Sequence, residues 1–240
     1  NAPMEIAIVG DFEESAAIEA AAQTFGALPK RQALKPEYRA ERQMEFPEGG
    51  QRKRFEFESE IPKAMVGVYW STDDIWDINR SRRLSVLGAI FGDRLRKKVR
   101  EELGEAYSPY ARHIPSDTYV GYGYLMSIIT VDPPQAEKIA DVVRMIGEDL
   151  AENGIDQDEL ERALQPLLTG IDRQLRDNSY WMRTVALSSQ EFPQKLDWAR
   201  TMRDDYAGIT VEDVNALAKK YLAPGVAVEV LIVPKVATSE

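Results

Sequence analysis

Val99-Arg100-Glu101-Glu102-Leu103-Gly104-Glu105-Ala106-Tyr107-Ser108 joins the end of a long amphipathic helix pattern to the start of a strand pattern. The turn between them falls at Gly104. It places an Arg and a Tyr on either side of a helix-to-strand junction, seven residues apart. Arg stays cationic and offers a planar fork of donors, and Tyr offers a phenolic donor on a stiff ring. Two such donors converging on one point can hold a peptide carbonyl, or the oxyanion that forms from it. The same letters also spell an ordinary helix C-terminus with Gly as its left-handed cap. Residue types and spacing leave both readings open.

Upstream of this junction the periodicity predicts a helix from about Ile75 to Leu103. Leu84, Leu87, Phe91, Leu95, Val99 and Leu103 recur at three- and four-residue steps and form one apolar stripe. Arg94, Arg96, Lys97, Lys98 and Arg100 crowd its last turns, where the helix dipole favours cations without any ligand. Two strand signals precede the helix. Residues 54–58 alternate polar with apolar, residues 64–70 are nearly all apolar, and Ile61-Pro62 fits a tight connection between them. Downstream, strands are expected over 106–113 and 118–131, joined as a hairpin through Ile114-Pro115-Ser116-Asp117. Helix patterns follow over 133–152, 157–176, 179–189, 194–206 and 211–221, and an apolar strand over 226–233 closes the chain. Thr210 and Asp213 have capping-box spacing at the start of the last helix. Strands and helices come in blocks without regular alternation. This predicts an α+β fold, a mostly antiparallel sheet with helices packed on one face and the 75–103 helix against it.

The first 30 residues read as a lead-in strand, Met4–Gly10, and an Ala-rich helix, with Asn1-Ala2 as the remnant of a cleaved tag. Residues 31–52 form a Pro-punctuated connection, and 53–240 the main domain. The opening Pro3-Met4-Glu5-Ile6-Ala7-Ile8-Val9-Gly10 weakly echoes the closing Val226-Ala227-Val228-Glu229-Val230-Leu231-Ile232-Val233-Pro234.

Composition narrows the chemistry. A net charge of −10 over 240 residues argues against a nucleic-acid partner, and no stretch is long and apolar enough to span a bilayer. The chain has no Cys and one His, His113, so it lacks the ligands of a catalytic zinc site. His113 reads as a surface or turn residue. Tyr119, Tyr122 and Tyr124 read as half-buried strand residues that could also line a peptide groove. Asp73-Asp74 and the acidic run at Asp156–Glu161 read as helix starts, and Trp181 and Trp198 as packing anchors.

Three segments, in order, resemble the pitrilysin/insulinase family of zinc peptidases. Ile8-Val9-Gly10-Asp11 with Phe25-Gly26-Ala27-Leu28-Pro29 is similar to that family's V-G-D … F-G-x-L-P stretch. The Leu95 to Ser108 segment is similar to its L-x-x-x-[IV]-R-E-x-x-G-x-A-Y-S motif, the most specific of the three. Ile209-Thr210-Val211-Glu212-Asp213-Val214 with Tyr221-Leu222 and Pro224 is similar to its closing helix and strand. The family's metal sits on an inverted H-x-x-E-H helix, which this chain lacks. The resemblance therefore implies a C-terminal domain that holds no zinc and is inactive alone. The metal would be held by another domain of the same polypeptide or by a partner subunit. It also implies that Arg100 and Tyr107 reach a peptide substrate from this domain, orient it and stabilise its oxyanion. The alternative within the family is a catalytically silent scaffold or peptide-binding module. The expected compartment is a bacterial periplasm or cytoplasm.

Overall fold

The computed structural model describes residues 3–32, 40–104 and 108–235. They fall into two compact units, one within Asn1–Tyr38 and Leu167–Asp204, the other within Arg39–Pro166 and Asp205–Glu240.

The larger unit is built on five strands: β1 (Gln51–Phe57), β2 (Ala64–Thr72), β3 (Tyr110–Pro115), β4 (Gly123–Val131) and β5 (Val228–Pro234). Their order across the sheet is β1-β5-β2-β4-β3. β2 runs antiparallel to β4 and β5, and β3 antiparallel to β4; only β1 joins its neighbour in parallel. The expected α+β class with a mostly antiparallel sheet is what the chain adopts. One connection differs. β1 and β2 are not neighbours despite the short Ile61-Pro62 link, because β5 lies between them. β5 carries five Val, Leu and Ile residues in seven, and its burial is satisfied best in an interior slot.

One face of the sheet is covered by α2 (Ile78–Leu103), α3 (Ala136–Asn153) and α7 (Val211–Tyr221). Ala64, Val66, Val68 and Trp70 of β2 point into this layer and are fully buried, as are Leu125, Ile129 and Val131 of β4. Against them lies the α2 stripe, Leu84, Leu87, Phe91, Leu95 and Val99. The helix starts at Ile78 and not at 75, because the Asp77 carboxylate accepts the Arg80 N–H at 3.0 Å and caps it. α7 carries the expected capping box, with Thr210 and Asp213 bonded reciprocally at 3.2 Å.

Trp70 packs edge-on against Phe91, with centroids 5.2 Å apart, and α3 comes close to this pair at Gly147. A Cβ on Gly147 would lie 2.7 Å from Trp70 Cζ2. Ala is the better helix former by about 1 kcal/mol, yet Gly147→Ala must displace a buried ring. It is expected to lower stability by about 1–2 kcal/mol in chemical denaturation, an overpacking cost that outweighs the propensity gain.

Two strand limits shift. β3 covers 110–115 where 106–113 was expected, and residues 105–107 lie outside the described set. β4 starts at Gly123 where 118 was expected, and the chain reverses over 116–122, closed by Ser116 N–H to Tyr122 O at 3.0 Å. The cause is the β2–α2 loop. The Gly121 N–H donates to Asp74 at 2.7 Å, and a Cβ on Gly123 would lie 2.1 Å from the Asp73 carbonyl oxygen. This stretch is pinned to a neighbouring loop before it can enter the ladder.

Covering the core also buries charge. Glu229 of β5 is 5% exposed on the helix side of the sheet. It is bonded by the Arg52 guanidinium of β1 and meets Arg144 Nε of α3 at 3.2 Å. Arg52 continues to Glu137 at 2.8 Å and Asp141 at 2.7 Å.

The smaller unit contains α1 (Glu14–Thr24), the short α5 (Asn178–Tyr180) and a π-helical turn over Trp181–Ala186 where a helix over 179–189 was expected. Trp181 donates its indole N–H to the Leu175 carbonyl at 2.7 Å, and Ser188, at φ 64°, ends the turn. The helices α4 (Gln157–Gln174) and α6 (Gln194–Ala207) contribute residues to both units, and Trp198 is half-buried on α6. Met4–Gly10 forms no strand. The alternation is present, with Met4, Ile6 and Ile8 exposed, but a strand needs a partner's N–H and C=O groups, and this unit has none among its described residues. Glu5 instead accepts the Gln190 N–H at 2.9 Å and the Ser189 hydroxyl at 3.3 Å.

Candidate functional site

Arg100 is exposed on the last turn of α2. Its carbonyl accepts the Gly104 N–H at 3.0 Å, and Gly104 leaves the helix at φ 82°, a conformation that favours glycine. The helix therefore ends where the letters placed the end. Tyr107 lies outside the described residues.

The C-terminal half of α2 is held by Arg94, which its position near the helix end assigned to the helix dipole. Arg94 bonds Glu159 at 2.7 and 2.8 Å, Asp149 at 2.7 Å and the Gly154 carbonyl at 2.6 Å. Its guanidinium saturates acceptors from α3, α4 and the turn between them, and these partners raise its pKa against the cost of burial. Arg96 and Lys97 pair with Asp93 at 3.1 and 3.0 Å. The basic cluster is thus divided between an internal clamp and surface pairs. The acidic run read as the start of a helix supplies Glu159 to the clamp, and Asp156 accepts the Glu159 N–H at 2.8 Å.

His113 is not the surface or turn residue expected. It lies on β3 facing the helix layer, 7% exposed, with Nε2 3.0 Å from Thr72 Oγ1. It pairs with Leu125 in register, so strand parity turns it inward. Burial, with the Arg80 charge adding to it, lowers its pKa to about 4. The unfolded imidazole titrates near 6.5. Between these values only the unfolded chain takes the proton, so stability is full above about pH 6.5 and falls as the pH drops towards 4. The gap corresponds to about 3 kcal/mol. His113→Gln is expected to remove this component, seen as a flatter denaturation midpoint between pH 4 and 6.5 than in the parent.

Asp73 and Asp74 were read as a solvated helix start, and the cap is Asp77 instead. Asp74 accepts the Trp76 N–H at 3.2 Å as well as that of Gly121. Asp73 accepts the Tyr221 hydroxyl at 2.6 Å and faces Arg80 at 3.3 Å. Both carboxylates are taken up in positioning β4 and α7.

Tyr69 of β2 and Tyr124 of β4 are half-buried on the face of the sheet that the helices leave open, while Tyr119 and Tyr122, expected on a strand, are half-buried in the 116–122 turn because β4 begins only at Gly123. Burial raises the pKa of Tyr69, and the nearby Tyr124 and Tyr110 add to it. The sequence singled out three of these residues; Tyr69, inside an apolar run, gave no separate signal.

The residues present do not fit a zinc ion. The single His is buried against Thr72, the chain has no Cys, and no group of three or more His, Asp or Glu in the described residues could hold a metal.

The chain thus combines a mostly antiparallel α+β sheet, helices on one face and a long helix that ends in R-E-E-L-G. The profile of the peptidase M16 inactive domain matches residues 2–167, and the chain belongs to this family. It is similar to the chloroplastic stromal processing peptidase of Pisum sativum, 29% identical over 133 residues, covering 54% of this chain and 10% of that protein. It is also similar to the "Probable zinc protease PqqL" of Haemophilus influenzae, 24% identical over 131 residues, covering 51% of this chain and 14% of the relative. The chain thus spans about a tenth of the length of these curated relatives. In fold it resembles the crystal structure of a peptidase M16 inactive domain from Pseudomonas fluorescens, at TM-score 0.76 and 24% identity, covering 96% of this chain and 53% of that one.

Proposed function

We propose that this chain is the substrate-contacting domain of a zinc-dependent endopeptidase and that Arg100 and Tyr107 are its donors to the scissile peptide. The observation that carries the reading is the exposed Arg100 on the last turn of α2, seven residues before Tyr107 in the sequence, in a chain of the M16 inactive-domain family. The guanidinium orients the peptide carbonyl, and the phenol donates to the oxyanion as charge develops on it. The zinc is held outside this chain, by another domain of the same polypeptide or by a partner subunit. A silent scaffold has no use for an Arg–Tyr pair of this kind, and retention of both favours a working domain. The test is steady-state kinetics of Arg100→Ala and Tyr107→Phe in the full-length protein that carries this chain. Losses of turnover with the fold intact support the reading. Unchanged kinetics in both variants reduce the stretch to a capped helix end.

A further inference from the structure

The open face of the sheet carries an aromatic ridge that neither the core nor Arg100 uses. Gly67 sits between Val230 and Ile128, and Ile128 faces Tyr110. A Cβ on Gly67 would lie 2.7 Å from the Tyr69 hydroxyl, so the Tyr69 ring lies back over the sheet. Tyr69 meets Tyr124 edge-on at 6.0 Å, and Tyr124 meets Tyr122 at 6.2 Å. Tyr122 continues the contact to Tyr119 at 6.0 Å and to Phe46 at 6.2 Å. At the β3 edge the Arg112 guanidinium lies 5.8 Å from the Tyr110 ring centre, and both residues are exposed.

The charge on this face is of one sign. Among the open-face positions of the five strands the charged residues are Lys53 and Arg112, and no carboxylate is present, on a chain of net charge −10. Beyond the strands, Glu45 and Glu48 lie next to Phe46 in sequence, at the far end of the ridge. Lys53 and Arg112 stand on the two edge strands. Four strand spacings separate them, roughly 20 Å, which an extended peptide covers in roughly six residues.

We propose that this face binds an extended polypeptide that lays apolar or aromatic side chains on Tyr69 and Tyr124 and sets carboxylates against Arg112 and Lys53. The occupant is the protease's own substrate, so the proposal rests on the substrate-contacting reading of the domain and adds a preference for acidic, aromatic-bearing segments. Stacking on tyrosine faces tolerates many side chains, and the two cations provide the discrimination.

The test uses the full-length protein and two short fluorescein-labelled peptides of identical apolar and aromatic residues, bearing either Glu or Lys at two positions roughly six residues apart. Binding is read by anisotropy in the presence of a chelator, without turnover. The Glu peptide is expected to bind more tightly. Arg112→Glu, at an exposed position, is expected to weaken it roughly tenfold, the factor of one charge-assisted hydrogen bond, and to favour the Lys peptide. Tyr124→Ala is expected to weaken both peptides several-fold. Equal binding of the two peptides, or a preference indifferent to Arg112→Glu, overturns the proposal. So does a dimer that Arg112→Glu dissolves without any peptide binding, which would assign the face to a second copy. The Arg100→Ala kinetics are independent of this readout: charge preference can fail while they still show loss of turnover, and the converse also holds.

Discussion

Tyr107→Phe in the full-length protein is expected to lower kcat by about 10²–10³ while KM changes little. The substitution removes one O–H and leaves the ring, so packing is conserved and a single donor is lost. A donor aimed where negative charge develops acts on the transition state more than on the bound substrate, and its loss therefore appears in kcat. Arg100→Ala is expected to raise KM as well, because a guanidinium fork also holds the neutral carbonyl of the ground state. Arg100→Lys keeps the charge but loses the fork, and should fall between parent and Ala. In the proposed shared site the zinc lies outside this chain, so both effects are expected to depend on its closing onto the part that holds the metal. A cross-link that holds the enzyme open should reproduce the loss of both residues. Full activity in an open-locked enzyme would contradict a shared site.

The second large effect is on stability. Arg52→Met is expected to destabilise the fold by about 3 kcal/mol, the low end for breaking a buried pair, and to lower the melting temperature by roughly 6–12 °C. Met fills much of the same space along β1, so the loss is electrostatic. It leaves the Glu229 carboxylate, only 5% exposed, facing Arg144 Nε at 3.2 Å. The reverse substitution is milder. Glu229→Gln removes the buried charge and leaves Arg52 bonded to Glu137 and Asp141 near solvent, so its expected cost is about 1 kcal/mol. Denaturation of the two variants side by side checks the asymmetry, and equal losses would mean that Glu229 is not the group bearing the desolvation cost.

The apolar stripe of α2, the Thr210–Asp213 box and the Gly104 stop were legible because each depends on residues within a few positions of one another. A helix needs its own periodicity, cap and exit conformation, and all three are written locally. The same holds for Arg100, whose place on the last exposed turn follows from counting back from Gly104. The antiparallel α+β class was legible from the blocks of strands and helices.

What the letters left open involves partners distant in sequence. Met4–Gly10 has the alternation of a strand, but pairing decides whether a strand forms. The Ile61-Pro62 link suggested adjacent strands, and β5 from the far end of the chain took the slot between them. His113 and Glu229 are polar residues whose inward direction was set by strand register, through Leu125 for the first and Val68 for the second. Arg94 looked like one of five cations at a helix end until α3 and α4 brought their carboxylates to it. The sequence by itself determined most of the helices, the Thr210–Asp213 cap, the Gly104 exit and the family to which the chain belongs. Tertiary structure alone decided which strand filled the centre of the sheet, which charges were buried and which face stayed open, because each depends on groups that meet only after the chain has folded.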